Sequence, residues 1–449
     1  MARVLGATIA LFVLIGAVFG SWAARVPDVS AQVGATHSSL GVALFCISAG
    51  ALVSMQIAGQ LCARWGAGRV AAGGAVLVSV AGALPGTASS LVGLCAALLV
   101  FGAATGLANV AANSLGVQIQ QSLGRPVMST MHAGFSFGGL FGALSGGLAS
   151  LVVSPAWHLA VVAVLGLGVA GAIAPTLAGF RFAEPTPAPD QPVTRRPATG
   201  LGIVVVILGL IAGCTAFAEG AITDWASLHL TEDLHATPVL AASGYAAFSL
   251  AMGCARLNGR RLIVRYGDTV VLVCGALLAA AGMLAGSLAS SPYLSVAGFV
   301  LVGLGLANVF PLAIAKAGLL GGARGVARAS TVGYTGLLGG PPIIGFLAGL
   351  WSLSAALTSV AVLAVLAGVL ALVVDHRLDG AGSVASALRA QARTRLQPLG
   401  ARIGSAAQAH GSSLRLLMEQ DRTPVSGPVD RARSRRAEDE PASLEFLIV

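Results

Sequence analysis

Few side chains in this 449-residue chain could do chemistry, and those few fall at helical spacings. Asn109 and Asn113 are four apart and so lie on one helix face. An amide both donates and accepts, which suits a hydroxylated ligand. Asn308 stands at the matching place in the later part of the chain and is expected to face Asn109 across a cavity. Asparagine also serves as polar glue between apolar helices, and that reading stays open beside cavity lining. His132, Phe135 and Ser136 share another face; the imidazole either relays protons or is a hydrogen-bonded packing residue. Glu219 and Asp224 are the carboxylates at or within apolar runs. Charge in hydrocarbon costs at least ~2.5 kcal/mol and is retained where it faces a water-filled path or a partner. Both are therefore candidates for coupling protons or substrate, and the alternative for Glu219 is an outer-gate ion pair with Arg25. Tyr245 and Tyr334 could stack on a sugar ring or anchor helices at the membrane surface; for Trp22, at a predicted helix end, anchoring is the favoured role.

Other chemistries are excluded by what is missing. The run His229, Glu232, Asp233, His235 has metal-ligand residue types, but it sits in a short acidic loop and reads as a solvated face, so no metal site is expected. No Gly-Lys-Ser/Thr phosphate loop occurs, and no span holds paired acids or a nucleophile with its base. The chain is read as neither an ATPase nor any other enzyme, with no cofactor. Cys46, Cys62, Cys95, Cys214, Cys254 and Cys274 lie in or beside apolar runs without paired spacing, as small core residues do.

The elements that must position these residues are apolar helices. Hydrophobic residues make up 56% of the chain and charged residues 10%, a composition that fits a lipid bilayer and not a water-soluble fold. Twelve apolar runs have the length of a crossing or nearly so, at 4–24, 39–62, 70–87, 91–118, 128–153, 157–180, 200–222, 238–257, 269–288, 293–316, 329–350 and 353–374. Residues 1–24 resemble a signal peptide, but the run is long for one and belongs to the repeat pattern, so an uncleaved first helix is expected. Basic residues fall in every second loop: Arg3; Arg64 and Arg69; Arg125; Arg181, Arg195 and Arg196; Arg256, Arg260, Arg261 and Arg265; Lys316, Arg324 and Arg328. The loops between carry only Arg25. Positive charge collects on the cytoplasmic side, so both termini are predicted to be cytoplasmic. The net charge of +9 is mainly this topology signal and not a nucleic-acid footprint.

Gly106-Leu107-Ala108-Asn109-Val110 returns about 200 residues later as Gly305-Leu306-Ala307-Asn308-Val309, and Arg64-Trp65-Gly66 returns as Arg265-Tyr266-Gly267. Two homologous halves in parallel are the signature of a transporter built from repeats. The predicted organisation is a six-helix bundle over 1–180, a proline-rich cytoplasmic linker over 181–199, a second six-helix bundle over 200–375 and a cytoplasmic tail over 376–449. The tail reads as disordered; an amphipathic helix on anionic lipid over 384–403 is the alternative, interrupted by Pro398.

Several motifs resemble those of the major facilitator superfamily. Gly59, Leu61, Arg64, Gly66 and Arg69 match its G-x-L-x-D-R-x-G-R signature, except that Ala63 stands where the family has its acid, and Val264 does so in the degenerate second copy. The resemblance implies that Gly59, Arg64, Gly66 and Arg69, with Arg25, take part in conformational gating, through a lock weaker than the family's. Asn109 to Asn113, Gly124-Arg125-Pro126, Met131-His132, Glu219-Gly220 with Asp224-Trp225, and Gly339-Gly340-Pro341-Pro342 resemble the fucose-permease-like branch of bacterial permeases. That branch places a carboxylate near Asn109, so the amide puts proton coupling through this helix in doubt. The implied protein is an all-α, twelve-helix monomer of the bacterial cytoplasmic membrane. It moves a small sugar-like solute or metabolite by alternating access, as a proton symporter or a facilitator. An efflux permease, or a sensor signalling through the tail, are the competing readings.

Overall fold

The computed structural model describes residues 1–124, 127–180 and 201–380. The linker and tail readings, the amphipathic helix over 384–403 included, fall outside the described residues. Within them the chain is helical, with no strand. The helices are α1 (Ala2–Val33), α2 (His37–Trp65), α3 (Ala67–Ala81), α4 (Leu91–Leu123), α5 (Met128–Ala149), α6 (Pro155–Ala178), α7 (Leu201–Glu232), α8 (Pro238–Tyr266), α9 (Asp268–Ser287), α10 (Pro292–Leu306), α11 (Val309–Leu350) and α12 (Leu353–Gly380). Start signals are local. Thr36 and Ser39 form a capping box before α2, Ser90 accepts from the Gly93 amide before α4, and proline begins α6, α8 and α10. Gly66 and Gly267, the paired glycines of the repeat, end α2 and α8 at φ 85° and φ 83°, a conformation that a Cβ would strain.

The packing repeats as the sequence does. In the first half α1 packs on α5, α2 on α4, α3 on α4 and α6, and α1 on α6. In the second half α7 packs on α11, α8 on α10, α9 on α10 and α12, and α7 on α12. Each half also sends two helices across to the other, α5 onto α8 and α2 onto α11. The crossings within a half need small residues. A Cβ on Gly138 or Gly142 would overlap the α1 carbonyls of Val13 and Ala17, so α1 and α5 touch backbone to backbone.

Eleven stretches among the described residues are long and apolar enough to cross a membrane. The exception is α5, whose glycines, serines and His132 lower its hydropathy; it lies against both α1 and α8. Two predicted boundaries are corrected. The run over 293–316 is broken at Ala307-Asn308, where α10 stops and the chain turns into α11. The helical hydrogen bonding of α11 then runs through the predicted loop over 317–328, yet a Cβ on Gly325 would strike the Ala317 carbonyl. Residues eight apart stand about 12 Å apart along a straight helix, so the chain reverses here and α11 contributes to two crossings, Pro292–Gly321 with α10 and Arg328–Leu350.

Exposed aromatics ring the bundle at two levels. Trp157, Tyr293 and Trp351 lie at one end, and Trp65 and Tyr266 lie at the end that carries the arginine-rich connections. Among the described residues, hydrogen bonds, an ion pair and tight glycine contacts join the halves away from the arginine-bearing end. His37 Nε2 meets Glu232 Oε2 at 2.7 Å, Ser38 and Ser48 donate to the Gly345 and Leu337 carbonyls, and Gly41 abuts Pro341 and Gly345. The deepest of these joins is Ser136 with Arg256. The halves are thus clasped at the far end and through the middle. In a cysteine-free background, single cysteines at Ser89 and Ser290 should react with an impermeant maleimide added outside intact cells, and cysteines at Ala63 and Arg265 only after permeabilisation. The reverse pattern would overturn the topology.

Candidate functional site

Three helices bring polar groups to the middle of the bundle, where the halves meet, and a fourth adds an aromatic ring. From α8 come Tyr245, Ser249 and Arg256, from α7 Glu219 and Thr223, from α5 His132, Ser136 and Gly139, and from α1 Phe12. Arg256 Nη2 lies 3.2 Å from Glu219 Oε1, and its Nη1 donates to Ser136 Oγ at 3.0 Å. Ser136 in turn donates to the His132 carbonyl, and the His132 ring meets Phe12 edge to face at 5.2 Å. Thr223 donates to the Glu219 carbonyl at 2.8 Å. Gly139 makes room: Ser249 Oγ and Tyr245 Oη each lie 3.1 Å from where its Cβ would stand. One ion pair within one half thus carries a hydrogen bond into the other half, amid hydroxyls and one imidazole. Only 11% of the Arg256 side chain is exposed, and Glu219 supplies the countercharge that its burial requires.

Sequence reasoning missed the centre of this arrangement. It placed Arg256 with Arg260, Arg261 and Arg265 in a loop, whereas α8 carries all four. The available signal was the eleven-residue spacing from Tyr245, three helical turns, which puts Arg256 on the face of Tyr245 and Ser249. Of the expected binding residues, His132, Ser136 and Tyr245 come together here; Phe135 packs at the α1 crossing, where its carbonyl meets Gly16. Asn109 and Asn113 remain on α4, half-buried, with Asn113 donating to the Asn109 carbonyl at 2.8 Å. The amide of Asn109 has no partner among the described residues. Asn308 does not face it: its amide donates to the Ala255 carbonyl of α8 and abuts Gly259, so it acts as polar glue at the α10 break. Tyr334 borders a narrow gap with Ser48 and Met55, away from Arg256.

Arg25 is neither a loop residue nor a partner of Glu219. It is buried in α1, bonded to Asp28 at 2.6 Å, to the Val153 carbonyl at 2.8 Å and to His158, and so staples α1 to α6 within the first half. Trp22 is fully buried, not an interfacial anchor. Asp224 is buried without a partner among the described residues. In the acidic run at the end of α7, Glu232, Asp233 and His235 are exposed, as on a solvated face, while His229 is buried; His229 bonds Asp233 at 2.8 Å and the Gly286 carbonyl, Ser354 donates to Asp233 at 2.7 Å, and Glu232 holds His37 across the halves. Burial would raise the Asp233 carboxyl, but bonds from His229 and Ser354 outweigh it and hold the group below the usual range. Among the described residues no group of His, Cys, Asp and Glu could hold a metal. Arg64 and Arg69 make no ion pair among the described residues, and nothing approaches Gly59; Arg69 and Gly66 line a ~540 Å³ cleft with Ala63 and Phe180.

The sequence model described as Major Facilitator Superfamily matches residues 208–407. The chain is 35% identical over 365 residues to an uncharacterised MFS-type transporter of Yersinia pestis, covering 78% of this chain and 91% of that one. It belongs to the major facilitator superfamily. An uncharacterised transporter of Sinorhizobium fredii is 35% identical over 75% of this chain and 89% of its own length. Of solved structures, a bacterial homologue of the human lysosomal transporter Spinster, inward-facing and unoccupied, matches with TM-score 0.65 at 14% identity over 84% of this chain and 97% of that one. The nucleoside transporter NupG matches with TM-score 0.61 at 13% identity over 83% and 98%. At such identities these structures support the major facilitator fold alone.

This major facilitator protein is a multi-pass membrane transporter, not an enzyme. The geometry separates its two asparagines. Asn308→Ala should lower thermal stability by about 1 kcal/mol, a typical interhelical hydrogen bond, and leave solute affinity unchanged. Asn109→Ala should leave the melting temperature unchanged and raise the half-saturating solute concentration a few-fold, as loss of one ligand hydrogen bond does. The opposite pairing, read by thermal melts and uptake, would return Asn308 to the cavity.

Proposed function

We propose that this transporter moves a small hydroxylated solute across the bacterial cytoplasmic membrane by alternating access, as a monomer with both termini cytoplasmic, driven by protons carried on Glu219. The observation that carries this reading is the Glu219–Arg256–Ser136 chain, which spans the meeting point of the halves where a midplane site belongs in such folds. Serine, threonine and tyrosine hydroxyls around it suit hydroxyl recognition, and Ser136 donates onward to the His132 backbone carbonyl.

The mechanism follows from the cost of a buried charge. While Glu219 is ionised it neutralises Arg256; protonated, it releases the guanidinium and removes its own charge from the bilayer. A carboxylate that alternates between these states, and is reached in turn from each side, ties proton movement to the rocking of the halves. Glu219 is half-buried, and Asp224 is the buried carboxylate on α7 that a proton could occupy. With the arginine-bearing loops cytoplasmic, the clasped end faces out and the arrangement is inward-facing.

Reconstituted protein should accumulate a labelled solute from a sugar panel against its gradient when the outside is acidic. Glu219→Gln should abolish that accumulation and spare equilibrative counterflow. Asp224→Asn should spare both. Normal accumulation by Glu219→Gln would contradict the assignment.

A further inference from the structure

Arg256 is only partly used. A guanidinium has five N–H donors, and its Nε and Nη2 edge is the side on which a carboxylate docks with two parallel bonds. Glu219 meets Nη2 alone, at 3.2 Å, longer than the 2.7–2.9 Å usual for a charge-assisted bond. Nε is fully buried and has no partner among the described residues, which is costly inside a membrane protein. The edge that would take a carboxylate side-on is therefore held by one long bond to an internal anion. Ser136 on Nη1, with Ser249, Tyr245 and Thr223 nearby, offers hydroxyls to the rest of a ligand.

We infer that the solute is a hydroxylated carboxylic acid whose carboxylate docks across the Nε and Nη2 edge of Arg256, displacing Glu219, which then takes up one proton. This rests on the reading of Glu219 as proton carrier and names the solute class for that site. The exchange balances. Arg256 keeps one counter-anion throughout, the solute brings one negative charge, and a proton from the open side neutralises the displaced Glu219, so anion and proton move together without net charge. A neutral polyol leaves Glu219 in place and Nε unpaired. A cationic solute would take Glu219 and strand Arg256 as a buried unpaired charge, which is strongly destabilising.

The test uses the purified full chain in nanodiscs and three matched pairs that differ only in the carboxylate: gluconate and glucitol, glucuronate and glucose, lactate and propane-1,2-diol. Thermal shift gives the half-saturating concentration, and a pH electrode in lightly buffered solution at neutral pH gives proton uptake. At least one acid should bind roughly tenfold or more tighter than its neutral partner, as expected for a hydrogen-bonded charge pair, with uptake of about one proton per solute bound. Glu219→Gln should bind that acid several-fold tighter, its competitor gone, with no proton uptake. Arg256→Gln should lose the preference for acid over neutral partner; if that variant does not fold, Glu219→Gln decides. Equal binding of acid and neutral partner, no binding by any acid, or weaker acid binding by Glu219→Gln overturns the inference. The two claims fail separately. A neutral solute whose pH-driven accumulation still requires Glu219 leaves the proton reading standing, and acid binding without proton uptake leaves the anion site standing without its coupling.

Discussion

Helices that meet inside hydrocarbon gain nothing by hiding apolar surface from water, so this fold depends on how closely its backbones can approach. Glycine sets that approach. At the α1–α5 crossing, Gly16 and Gly20 lie against the Phe135 and Gly139 backbones while Gly138 and Gly142 lie against Val13 and Ala17; at the matching α7–α11 crossing, Gly336 lies against Gly213. Between the halves the same device is used sparingly, at Gly41 with Gly345 on one side and at Gly147 with Ala242 and Val239 on the other. Each half is thus tightly knit, and the halves meet mainly along two helix pairs, α5–α8 and α2–α11, with α1 also touching α7 and α8. Such a division lets them move as bodies.

Where every charge is costly, the position of an ion pair is informative. Arg25 with Asp28, and His229 with Asp233, tie helix ends within one half. His37 with Glu232 closes the far end between the halves, and Glu219 with Arg256 occupies the middle. The two kinds do different work. The first two stiffen a body; the other two lie where the bodies meet, His37–Glu232 between the halves and Glu219–Arg256 within the second half, with Arg256 reaching Ser136 of the first.

The repeat made the architecture legible: Arg64-Trp65-Gly66 and Arg265-Tyr266-Gly267 end equivalent helices with the same unusual glycine conformation. The site was less legible, because hydropathy ends a span where charge begins. Charge alone puts Arg256 in a loop and ends α1 before Arg25 and Asp28, yet a helix can carry a charge inward when a partner waits there. Sequence symmetry also misled in detail. Asn109 and Asn308 occupy equivalent positions, but the chain breaks helix at Asn308 and not at Asn109, so one amide turns to α8 while the other has no partner among the described residues. No residue pattern announces such a break.

The central claim is that the halves rock as bodies about the middle junction, and spin-label distances test it directly. One label pair, Ala31 with Leu350, reports the far end, and another, Gln60 with Arg260, reports the arginine-bearing end, in nanodiscs by pulsed electron resonance. Gly345→Leu provides the wedge, since even a Cβ there would press on the His37 carbonyl and on Gly41. The account predicts that this substitution lengthens the far-end distance and shortens the distance at the arginine-bearing end in the same molecules. A far end that opens while the other pair stays unchanged, or two pairs that do not respond, would contradict it.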